Sequence, residues 1–167
     1  MTMRRTSQDL KSELQSVVGE SVYCALGLKD TLIEERDALQ RQDSTAIIDA
    51  ATRKKTCILK LEELENRRAE LSEACGYSRS PGDMQSLARD LDDDASDPVL
   101  LDCWNHFIDV AHKCFDLNSS NGAIIRVRKT QIMNSLSAIR GGVDDDATYG
   151  PGGTEPVTDR ARSLAEA

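Results

Sequence analysis

Two histidines, His106 and His112, and five cysteines, Cys24, Cys57, Cys75, Cys103 and Cys114, are the side chains of this sequence best suited to hold a transition metal or act as nucleophiles. Cys103, His106 and Cys114 fall on one face of a helix, but they are spread over about 16 Å at 1.5 Å of rise per residue, too far for one tetrahedral ion. A metal site would need ligands from another helix. The histidines lie nearly opposite each other on a helix, and the cysteines are odd in number without CxxC spacing, as expected of reduced thiols packed as small apolar groups. Four carboxylates crowd between Asp90 and Asp94. They lack the alternating oxygens, central glycine and closing glutamate of a calcium loop, and read as a solvated acidic loop. There is no phosphate loop, no GxSxG elbow and no nucleophile beside a base. These patterns predict a protein that is not an enzyme and needs no cofactor or metal.

Binding is the remaining kind of chemistry, and composition narrows its partners. The net charge of −8 repels phosphate backbones, and the basic clusters Arg53-Lys54-Lys55 and Arg126/Arg128/Lys129 are short, so no nucleic-acid partner is expected. No window approaches the roughly 20 apolar residues of a membrane span, and the N-terminal MTMRRTSQDL carries no apolar stretch behind its arginines. No membrane insertion is expected, and a cytoplasmic location is. With 39% hydrophobic but only 4% aromatic residues, long helices sharing thin seams suit the chain better than a sandwich or barrel.

The elements that would present a binding surface follow from periodicity. Leu14, Val18, Val22, Ala25, Leu28, Leu32, Arg36 and Leu39 are spaced by three or four, which predicts a helix over about 7–41. Asp43-Ser44-Thr45 offers caps for a second helix over about 45–75, closed by Gly76, and the short connection makes the two an antiparallel hairpin. Ser80-Pro81 starts a short helix over 81–91, and Asp97-Pro98 starts a third long one over about 98–140.

That last stretch carries the longest heptad pattern: Leu101, Trp104, Ile108, Ala111, Phe115, Asn118, Gly122, Ile125, Lys129, Ile132, Leu136 and Ile139. The segment NSSNGAII, Asn118 to Ile125, keeps its phase. It is therefore read as part of one helix, with Asn118 and Gly122 at a helix contact on the seam. The alternative is a corner at Asn121-Gly122, since Asn-Gly is also a turn signal. Gly141-Gly142 is expected to stop the helix. The expected fold class is all-α: a long-helix hairpin with a third long helix forming a coiled-coil-like bundle over 1–142, and a flexible acidic tail over 143–167, disordered by itself, that carries Tyr149 among turn residues.

Several of these pieces together resemble a known family. Glu34-Glu35-Arg36-Asp37-Ala38-Leu39, the helix around Lys55 with Leu59, Leu61 and Arg68, the Asn118-Ser-Ser-Asn121-Gly122 segment, and Thr148-Tyr149-Gly150-Pro-Gly-Gly153 are similar to the FlgN family of flagellar export chaperones. The resemblance implies a cytoplasmic, non-catalytic protein that holds the C-terminal segments of the hook–filament junction proteins FlgK and FlgL. Such a protein delivers them to the export gate protein FlhA. On this chain it points to Ile125, Ile132, Met133, Leu136, Ile139 and Val143 as substrate-binding candidates, and to Tyr149 as the gate-docking residue. A competing reading is a structural coiled-coil adaptor or oligomer with no export role, in which the Ile125 to Ile139 stripe is buried within its own bundle.

Overall fold

A helix with apolar residues at alternating spacings of three and four must bury that stripe, and the N-terminal half of the sequence does so against its own second half. The computed structural model describes residues 7–92 and 98–144, with the side chains of Ser7 and of residues 142–144 excepted. The described residues form α1 (Ser7–Arg41), α2 (Ser44–Ala74), α3 (Pro81–Leu91) and α4 (Val99–Asp144), and none of them lies in a strand. They group into two compact units, one ending at Val127 and one beginning at Arg128.

Local chemistry sets the helix ends. Arg41 is followed by Gln42 at φ +60°, and the amides of Gln42 and Asp43 donate back to Leu39 O and Ala38 O, closing α1 with paired backward bonds. Asp43 then caps α2, its Oδ1 accepting from Ala46 N at 3.0 Å. The end of α2 repeats the α1 closure with a glycine: Gly76 at φ +84° donates to Glu73 O, and Tyr77 donates to Ser72 O. Ser80 caps α3 through Asp83 N at 3.1 Å, with Pro81 in the first turn.

The acidic loop behaves differently from expectation at one residue. Asp92 is not solvated: its side chain is 3% exposed, it pairs with Lys11 at 3.5 Å, and its two carboxylate oxygens accept from Leu100 N and Leu101 N. It therefore satisfies open amides in the first turn of α4 from outside that helix, where an anion also complements the helix dipole. The expected cap at Asp97 lies outside the described residues.

In the first unit α1 is the central strut. It runs antiparallel to α2, as the pairs Glu34–Arg53, Glu35–Lys54 and Glu13–Arg67 show. It runs parallel to α4: Cys114 Sγ donates to Ala25 O at 3.4 Å, and Asn121 Nδ2 donates to Leu32 O at 2.8 Å, both at a separation of 89 residues. Toward the α1 N-terminus all four helices share one core, with Leu14, Val18, Leu64, Met84, Leu100 and Trp104 buried together. Farther along, the core thins to Ala25 and Leu32 against Val110 and Cys114.

The expected α1 seam holds at Leu14, Val18, Ala25, Leu32 and Leu39, while at Val22 and Arg36 the preceding residues, Ser21 and Glu35, are the buried ones. On α4 Trp104 is buried as expected, but the other buried positions are Leu100, Val110, Cys114 and Asn121, while Phe115 is 73% exposed and Asn118 lies on the surface. Apolar residues come in adjacent pairs on α4 (Leu100-Leu101, Phe107-Ile108, Cys114-Phe115), so apolar spacing supports either phase. Polar residues on the neighbouring helix break the tie. The corner at Asn121-Gly122 does not form, because Asn121 spends its side-chain hydrogen bonds on α1, not on its own backbone. Nor does Gly141-Gly142 stop α4, which continues to Asp144. Glycine weakens a helix by about 1 kcal/mol without blocking it sterically.

Candidate partner-binding surface

The NSSNG segment meets α1 through one buried side chain, Asn121, which is 1% exposed. Its amide donates to Leu32 O and to Glu35 Oε2, both at 2.8 Å, and its Oδ1 accepts from Arg36 Nε at 3.3 Å. Glu35 in turn holds Lys54 of α2 at 2.6 Å. This layer ties all three long helices together with its hydrogen bonds satisfied, as a buried amide requires. It also fixes register. Sliding α4 by one heptad would set Asn121 against Ala25 or Leu39, with no carboxylate to receive its second N–H.

The two residues expected at this contact are not the ones that make it. Asn118 is exposed and its Oδ1 reaches Lys54 Nζ only at 3.5 Å. A Cβ on Gly122 would meet nothing but Arg126 of its own helix, at 3.4 Å, so no neighbouring backbone approaches there. The reason is the one-residue shift in phase: Gly122 faces away from α1.

Past Asn121 the surface changes. In the first unit Ile125 and Val127 are exposed. In the second unit every described side chain from Lys129 to Gly141 is exposed, with Ile132 at 61%, Met133 at 55%, Leu136 at 44% and Ile139 at 66%. Isolated exposed apolar groups are ordinary, but this run is large side chains at helical spacing, which makes it the candidate surface. Its flanks are basic: Arg126, Arg128, Lys129 and Arg140 fall between Gly122 and Val143 with no acidic residue among them. Val143 lies in the last turn of α4 with its side chain outside the described residues, and Tyr149 lies outside them altogether.

A second apolar surface escaped the sequence reading. In the first unit α2 and α4 stand apart above an α1 floor, leaving a groove of about 480 Å³ whose walls include Ile58, Leu61, Trp104, Phe107 and Ile108. Its signal was the adjacent apolar pairs on α4, which cover two faces of the helix where one seam needs only one. Arg68 closes one end. Its guanidinium, 2% exposed, lies 5.3 Å from the Trp104 ring centroid and bonds to Glu65 and to Arg79 O.

The cysteines serve as packing groups. Burial pushes the Cys114 and Cys103 thiols up, which lowers the thiolate share needed for nucleophilic attack. Among the described residues no three His, Cys, Asp or Glu side chains converge on a possible metal position. No described helix is long and apolar enough to cross a membrane.

A long-helix hairpin carrying two further helices, the last with large apolar side chains exposed, defines an all-α protein. The family model for FlgN protein matches residues 3–156, and the chain belongs to the FlgN family. This is a family of flagellar export chaperones and not of enzymes. A solved structure from Pseudomonas aeruginosa, described as a flagella synthesis protein FlgN, shares the fold: TM-score 0.61 and 22% identity over 80% of this chain and 98% of that one. No curated protein matches.

Proposed function

We propose that this chain is a cytoplasmic chaperone of the flagellar type III export pathway, that it binds the C-terminal segments of the junction proteins FlgK and FlgL, and that it delivers them to the gate protein FlhA. The observation that carries this reading is the exposed, basic-flanked stripe Ile132, Met133, Leu136 and Ile139. Segments that assemble into a filament through apolar helical faces must be kept covered beforehand, and an uncovered helix face can do that by coupled folding with them. Membership of the FlgN family supports the export role.

The experiment uses Ile132→Asp and Leu136→Asp in the full chain. Both residues are exposed, so the far-UV helical signal and melting temperature should stay near wild type. Titration calorimetry against FlgK and FlgL should show affinity falling by roughly a hundredfold, the loss of about 3 kcal/mol that burying two large apolar groups provides. Unchanged affinity would place the substrate elsewhere. A structural adaptor without an export role would bind neither protein in the wild-type form.

A further inference from the structure

The groove of the first unit has the outline of a missing helix. Its α4 wall continues past Cys114 into a second hollow of about 160 Å³, bounded by Lys54 on α2 and by Phe115 and Asn118 on α4. Leu28, Ile58 and Cys114 line both hollows, so the two adjoin end to end as one channel-shaped depression. From Trp104 to Asn118 on one wall, and from Arg68 to Lys54 on the other, the channel is about 21 Å long, roughly four helical turns. Two helix walls over a third helix as floor is the vacancy that a fourth helix of a bundle fills.

The same chain displays a helix of matching length and chemistry. Ile125 to Ile139 also extends about 21 Å at 1.5 Å per residue, with its apolar residues spaced by three and four. Charge is complementary as well. The segment between Gly122 and Val143 carries +4 in a chain of −8, so the remainder stands at −12. On the groove wall, Glu62 has no ion-pair partner among the described residues.

We propose that the groove receives the α4 stripe of a second copy of this chain, and that exchange in both directions closes a dimer. Self-association then covers two apolar surfaces that are exposed in the single chain, and closed two-fold pairing is the commonest symmetry for such an exchange. The docking stands without the chaperone reading. One consequence rests on that reading: substrate and second copy compete for the stripe, so the dimer is a resting form that substrate takes apart.

The test is mass in solution, by sedimentation velocity and light scattering over a concentration series of the full chain. The wild type should move from monomer to dimer mass. Ile132→Asp on the stripe and Ile58→Glu on the groove wall, 61% and 40% exposed, should each weaken association roughly tenfold or more with the helical signal kept. Phe115→Glu, 73% exposed, serves as the groove variant should Ile58→Glu melt early. Mixed in equal amounts, stripe and groove variants should recover a heterodimer, since one contact of the pair is intact. A wild type that stays monomeric, variants that associate undiminished, or a mixture that stays monomeric would each overturn the proposal. So would a groove variant that dimerises normally but loses FlgK or FlgL, because the groove would then belong to a foreign helix. Loss of substrate binding with dimerisation unchanged in Ile132→Asp would uphold the chaperone reading and reject this one.

Discussion

A single amide decides how the longest helix sits on the hairpin. Asn121 is buried, donates twice and accepts once, while its neighbour Gly122 meets only a flexible arginine of its own helix. The two adjacent positions should therefore respond in opposite directions. Asn121→Ala takes a hydrogen-bond partner from Leu32 O, Glu35 and Arg36 and opens a small cavity, which should cost about 2–3 kcal/mol in urea unfolding. Gly122→Ala adds helix propensity at no steric cost and should stabilise by about 0.5–1 kcal/mol. A destabilised Gly122→Ala would mean that another helix does approach that position.

Among the elements, the link between α3 and α4 is anchored by one acidic side chain. Asp92 accepts from Leu100 N and Leu101 N and pairs with Lys11, joining the end of α3, the start of α4 and the first turns of α1. An uncapped helix start in a buried setting leaves open donors, so Asp92→Ala should cost about 2 kcal/mol and Asp92→Asn, which keeps an acceptor, about half of that. Amide hydrogen exchange should report the change at Leu100 and Leu101 first. Equal losses for the two variants would show that the ion pair with Lys11 matters and the cap does not.

For the molecule as a whole, the proposed separation of holding from delivery puts the two tasks on different stretches of chain. The stripe of α4 would hold substrate, and Tyr149, beyond the described residues, would dock on the gate. Tyr149 lies five residues past Asp144 and ten past Ile139 in sequence, so substituting it leaves the side chains of the stripe unchanged. Tyr149→Ala should leave the melting temperature and FlgK affinity unchanged and weaken FlhA capture, read as a pull-down on the same preparation. Loss of FlgK binding in that variant would make the ring part of the substrate site.

Period and punctuation were legible in the sequence because they depend on near neighbours. Repeats of three and four, Ser80-Pro81, and the Asp43 and Gly76 ends each act within one turn of chain, and the helices lie where those signals place them except that α4 runs past Gly141-Gly142 to Asp144. The recognisable NSSNG and TYGPGG segments pointed to the FlgN family, which the family model supports. Phase was not legible. Phe107-Ile108 and Cys114-Phe115 offer two faces of equal hydrophobicity, and only the carbonyl of Leu32 and the carboxylate of Glu35, 89 and 86 residues away, select the one that turns inward. The same limit hid Asp92, whose partners lie on two other helices, and the groove, which exists only because α2 and α4 stand apart. Whether an apolar stripe is core or binding face depends on whether another helix covers it, and α1, which covers α4 at Asn121, ends at Arg41.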